Sequence, residues 1–211
     1  MKTKTAQVIK TPELVAAFGA GVLLLAFYAF QWSIIDAITV FGVLLIQRPI
    51  LLVFGASCVL SVIHIFLYWK KVWFLTLLPL TINIATLLII AFVPFTEMSV
   101  NADFHLKLLS REDIVQQVKV GALKNNVAYN NTLIHLPAGY PYVSSSGNDI
   151  LVEGENGSLS VFFFTFRGVL DNFAGIIYKE NDQPPTASDF GCDTLLESSK
   201  FQDNWFWMSC T

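Results

Sequence analysis

The chain has 211 residues, 54% of them hydrophobic and 14% charged, against ~45–50% and ~25% in an ordinary soluble domain. Disorder, coiled coil, collagen and a basic nucleic-acid arm are all excluded by that balance. The net charge of −3 conceals a division: residues 1–95 carry six Lys/Arg against two acids, and residues 96–211 carry seven against fourteen, or −7.

Three apolar runs in the first part match the ~20 residues needed to span ~30 Å of hydrocarbon at ~1.5 Å per residue. They are 14–35, 49–69 and 72–95. Trp32, Tyr68, Trp69 and Trp73 mark the ends of these runs, where amphipathic rings favour the headgroup layer. The first run is longer than the ~7–15 residues of a signal-peptide core and lacks a small-residue cleavage site, which favours a retained helix.

Residues 36–48 are apolar but too short to cross, and carrying the second span through them would bury Arg48 at ~2.5–3.5 kcal/mol. The segment therefore reads as an interfacial or re-entrant connection. Lys2, Lys4, Lys10, Lys70 and Lys71 fall on one side and Arg48 on the other. The excess of positive charge on cytoplasmic loops puts the N-terminus inside and, after three crossings, residues 96–211 outside. The compact loops and short basic N-terminus suggest a bacterial inner or plasma membrane.

Within the spans, Asn83, His64 and Asp36 are the polar positions. They read either as part of an ion or proton path, or as an interhelical hydrogen bond (Asn83) and interfacial groups (His64, Asp36). Ala17-xxx-Gly21 and Ser57-xxx-Ser61 are small-residue spacings suited to close helix contact.

Residues 96–211 suffice for one modest core. Ser110-Arg111-Glu112-Asp113 predicts a helix start, with Ser110 as cap and the segment ending near Gly121. Strands are predicted at 132–136, 150–153, 158–167, 173–179 and 204–209, with a hairpin turn at Glu155-Asn156-Gly157. The fold class is a three-helix transmembrane region followed by an exported α+β domain with a mostly antiparallel sheet. Strand 158–167 is apolar on both faces, the pattern of a central strand covered on both sides. Its Phe162/Phe164/Phe166 stripe, Arg167, and the end-strand residues Trp205 and Trp207 are also candidate partner-binding groups. Arg167 reads alternatively as a turn anchor pairing with Asp171 or with loop carbonyls.

Cys192 and Cys210, the two cysteines of this half, form a disulfide in an oxidising compartment; Cys58 stands alone in a span. No Walker A, GxGxxG, GxSxG, HExxH, CxxC or EF-hand pattern occurs in the sequence. His64, His105 and His135 are scattered, so neither a metal nor a cofactor is expected. Ser144-Ser145-Ser146, His135 and Asp149 could meet only through the fold. Sequons occur at Asn130 and Asn156. Nucleic-acid binding has no basic, aromatic-laced stretch to support it.

The expectation is a non-catalytic envelope protein whose outer domain binds or caps another membrane or envelope protein, its first half contacting the lipid bilayer. The alternatives are a small envelope hydrolase and a transport or channel subunit. A periplasmic-type phosphatase fused after Thr211 is expected to be active and a fluorescent protein there dark; strong cytoplasmic fluorescence would overturn the topology.

Overall fold

A computed structural model describes residues 12–70, 76–154, 157–168 and 172–211. Lys2, Lys4, Lys10, Lys71, Trp73, the Glu155-Asn156 turn and Asp171 lie outside the described residues. The chain divides into two compact units, up to Ser99 and from Val100 onward.

The first unit is helical. Helix α1 (Pro12–Tyr68) is one assignment made of two rods, because Thr39 leaves helical geometry at φ 67°, ψ 168°. A β-branched residue rarely adopts positive φ, and here it forms the tip of a helical hairpin. Glu13 and His64, nearly equidistant from Thr39 in sequence, lie 3.6 Å apart. Leu24 and Phe27 of the first rod pack in one cluster with Val43, Ile50 and Phe54 of the second. Residues 36–48 are thus helical on both sides of Thr39, and Pro49 sits inside the second rod. By length and composition α1 can cross a membrane.

Helix α2 (Leu78–Phe92) packs on this hairpin. Asn83, 1% exposed, donates from Nδ2 to Ser61 Oγ at 2.9 Å and accepts from Ser57 Oγ at 3.3 Å. Gly21 meets α2 so closely that a Cβ there would lie 2.7 Å from Thr86 Oγ1. Both small-residue spacings therefore mark helix contacts: a hydrogen-bonded one at Ser57/Ser61 and a close-packed one at Gly21.

Helix α3 (Phe95–Lys119) starts fifteen residues before Ser110, so Ser110 is a mid-helix residue and not its cap. The expected cap fails because Arg111 points inward: it is fully buried and serves the fold from the middle of the helix.

The second unit is built on a six-stranded antiparallel sheet in the order β1-β2-β3-β4-β6-β5. The strands are β1 (Leu133–His135), β2 (Asp149–Glu153), β3 (Ser160–Arg167), β4 (Phe173–Lys179), β5 (Leu195–Gln202) and β6 (Trp205–Cys210). One face carries Val161, Phe163, Ile176 and Trp205 against Phe104, Ile114 and Val115 of α3. The other carries Phe162, Phe164, Ile177 and Met208 beneath Phe190 and Cys192. Phe190 reaches 5.5 Å from Phe162. Its loop is pinned by the ion pair of buried Lys179 with Asp189 at 2.8 Å and by the Phe190 N–H bond to Glu153 at 2.9 Å. Gly175 has no substitute here, since a Cβ would lie 2.6 Å from the Phe162 ring and 2.2 Å from Phe163 O.

The disulfide joins Cys192 to Cys210, with Cα atoms 5.6 Å apart at a sequence separation of 18. It fastens the covering loop to β6. Cys192→Ser is expected to lower sheet stability by ~3 kcal/mol, measured by chemical denaturation in mild detergent. Thiol labelling of unreduced, denatured wild type should reach Cys58 alone, and labelling of Cys192 and Cys210 would refute the bond.

Candidate functional site

The aromatic residues expected to offer a partner surface are mostly interior. Phe162, Phe164, Trp205 and Trp207 are buried. They are core because β3 and β6 are central strands, covered on both faces. Strict alternation would put Phe166 with Phe162 and Phe164. A bulge between Phe164 and Phe166 shifts the register by one, so Phe166 packs on the helix side instead.

Arg167 remains outside, 44% exposed. Its guanidinium lies 5.2 Å over the Phe164 ring and 3.4 Å from Asp149 Oδ2. The other Asp149 oxygen meets His135 Nδ1 at 2.7 Å. His135 and Asp149 are register partners of β1 and β2, so pairing of the strands brings them together. Ser144 does not join them as a nucleophile. It is fully buried, donates its hydroxyl to the Asp149 carbonyl, and accepts the Phe164 N–H at 2.9 Å. Ser145 opens the turn Ser145–Asn148, whose Asn148 ties it to Val143 and Pro141. The row His135–Asp149–Arg167 fastens one end of three adjacent strands.

Three buried or half-buried ionic contacts were not foreseen from the sequence. Arg111 gives Val143 O two bonds, at 2.8 and 3.1 Å, and meets Asp103 at 2.5 Å. Burial pulls its guanidinium down and the Asp103 charge offsets this, while its plane lies 5.6 Å from the Phe163 ring. Lys179–Asp189 is the second. The third joins the end of α3 to the strands: Lys119 bonds Tyr178 Oη and Glu180, both at 2.9 Å. Glu180 also accepts the Gly157 N–H at 2.7 Å. The Tyr178 and Glu180 bonds hold the Lys119 ammonium above its usual range. Lys119 and the Gly157 N–H hold the Glu180 carboxyl below its usual 4.5.

Two clefts flank this end of α3. One, of about 680 Å³, is lined by Leu123, Lys124, Asn131, Ile134 and Leu159, with Lys119 already engaged. The other, of about 480 Å³, runs past Val115, Tyr178 and Trp205 and is rimmed by Glu112, Asp113 and Asp203. Leu109 stands on its rim at 82% exposure, one turn from Leu106 at 85%. Two leucines this bare, so close together, form the apolar edge of an acidic cleft. Among the described residues no group of three His, Cys, Asp or Glu could hold a metal.

Asn83 lies at the helix contact already described, and His64 faces Glu13. Asp36 falls three residues before the hairpin tip. No protein-family model, curated protein or solved structure matches the chain.

Because the folded Glu180 carboxyl titrates below its ordinary value, the unfolded chain takes up the proton first as pH falls. Its stabilisation is complete above pH 4.5 and lost below it. Thermal unfolding followed between pH 3 and 7, on the order of the carboxylate range, should fall more steeply in wild type than in Glu180→Gln. Identical slopes would refute the role.

Proposed function

We propose that this chain is a membrane-anchored envelope protein that acts by binding: three helices cross the bilayer, the N-terminus is cytoplasmic, and the disulfide-bonded sheet unit is outside. The hairpin supports two of the crossings, since its rods of ~27 and ~29 residues are each ~40 Å long, more than the hydrocarbon thickness. Its tip at Thr39 puts residue 12 and Lys70 at the same end, the end at which the sequence concentrates its lysines. The disulfide supports export, because such bonds persist in oxidising compartments.

The observation that carries the binding reading is the bare Leu106–Leu109 edge beside the acid-rimmed cleft. Apolar area ringed by charge is the anatomy of a protein interface. The −7 charge of residues 96–211 selects the occupant: a segment of another envelope protein that is basic and carries an apolar anchor, steered in by the opposite charge.

A photo-reactive residue at Leu109 of the full chain tests this in cells. The expected product is an adduct with another protein, on a segment of net positive charge. Reversing the rim with Glu112→Lys and Asp113→Lys should lower its yield about tenfold, equivalent to ~1.4 kcal/mol. An adduct with lipid, an adduct with a second copy of this chain, or a yield indifferent to the reversal would each overturn the reading.

A further inference from the structure

In the helical unit, one buried contact sets an acid against a base with no hydrogen bond between them. His64 is 1% exposed and lies 4.7 Å from the Tyr68 ring, tilted 35° to it. Its Nδ1 lies 3.6 Å from Glu13 Oε2. Among the described residues, neither imidazole nitrogen nor that carboxylate oxygen has a hydrogen-bond partner. Buried polar atoms are nearly always paired, so three orphan atoms on a single contact need an explanation.

The neighbouring polar groups do not supply one. Two turns along the second rod, Ser57, Ser61 and Asn83 form a closed set: Asn83 gives its amide to Ser61 and its carbonyl to Ser57, and Ser61 donates to Ser57 O at 2.8 Å. That set bonds within itself and, among the described residues, makes no bond toward His64. Helix α2 brings no titratable side chain to the contact, and Tyr68 is the other titratable ring against His64. Lys70 lies past the rod's end and is exposed.

We propose that Glu13 and His64 form a proton-binding site that latches the open end of the helical hairpin. The ligand is a proton from solvent, reaching the pair at Glu13, whose side chain is 22% exposed. It adds to the imidazole lone pair, an N–H bond forms at Nδ1, and that N–H donates to the Glu13 carboxylate; no other bond changes and no co-reactant is needed. With the proton bound, a charge-assisted hydrogen bond joins residue 13 to residue 64. Without it, the neutral imidazole has one N–H for its two buried nitrogens, the contact loses its charge assistance, and the first turns of α1 are held less firmly. The site responds to pH through this one proton. It rests on the helical unit alone and is independent of the partner reading.

The test uses the full chain in mild detergent. Amide exchange of residues 13–20, corrected for its intrinsic pH dependence, is expected to rise about tenfold between about pH 5.5 and pH 8 as the end opens. In His64→Gln, whose amide is neutral at both values, the exchange should be flat. A flat wild type, or a rise that persists in His64→Gln, overturns the proposal. Should that variant fold poorly, His105→Gln with His135→Gln leaves His64 as the one histidine of the three in the sequence. Its imidazole nitrogen resonances then report the proton directly. A titration that responds to Glu13→Gln supports the latch, and one indifferent to it, or none at all, overturns it.

Discussion

The sheet unit depends on one constraint: β3 is apolar on both faces. Its residues Ser160–Arg167 put Val161 and Phe163 on one side and Phe162 and Phe164 on the other. A large apolar side chain left in water instead of buried costs ~1.5–3 kcal/mol, so neither face can stay open. Helix α3 covers the first, bringing Phe104, Ile114 and Val115. Among the described residues no second long helix covers the other. A loop does it, and loops carry polar backbone that must be satisfied where it is buried. This is why the covering segment is so heavily fastened. Lys179 grips Asp189, Glu153 takes the Phe190 N–H, and the disulfide ties Cys192 to β6. The ionic and covalent ties on that side follow from the composition of a single strand.

Several polar interior groups in both units join segments distant in sequence. Arg111 joins the middle of α3 to Val143, thirty-two residues on, and Lys119 joins its end to Tyr178. Asn83 joins α2 to the second rod of α1. Buried ion pairs gain little net stability, because desolvation offsets their attraction, but breaking one leaves a charge stranded. Their effect is to penalise misplacement more than to add stability. Glu13 and His64 differ because they approach without completing a bond.

Much of this fold was legible in the sequence, through local patterns. Strands 132–136, 150–153, 158–167, 173–179 and 204–209 correspond to β1, β2, β3, β4 and β6, since period-two alternation and turn residues are local signals. The cysteine pair was legible because only two candidates occupy that half. The two-sided burial of β3 was legible as well. The rest depended on contacts that leave no local trace. Ser110-Arg111-Glu112-Asp113 has the composition of a helix start, yet Phe104 packs into the core a full turn and a half earlier, and tertiary packing extends the helix back to Phe95. The bulge that turns Phe166 to the other face has no signature in SVFFFTFR. The hairpin tip at Thr39 was invisible because a β-branched residue is a poor candidate for positive φ. The acidic cleft was likewise hidden: Glu112 and Asp113 looked like helix-start charges, and Leu109 falls just before the predicted helix.

Strand β5 was missed for a reason that also bears on how a partner can bind. Its sequence LLESSKFQ is polar and exposed along most of its length, so it lacks the alternation that marks a half-buried strand. It is an edge strand, whose free backbone groups would ordinarily invite another strand. Two register shifts, at Leu195/Glu197 and Lys200/Gln202, break that edge. Lys200 sits on it, held by Asp182 at 2.7 Å and Asp203 at 3.1 Å. Bulges and a fixed lysine are the devices that discourage strand addition. At the opposite edge β1 offers three residues, and Asn126 caps the backbone of His135 from both sides. Both edges are thus poor templates for an incoming strand. The two sheet faces are covered, and the Phe and Trp rings of β3 and β6 are inside. The outer side of α3 stays open, with Leu106 and Leu109 exposed beside a rim of carboxylates. Recognition there would proceed through side chains, with charge setting the approach and apolar contact the grip.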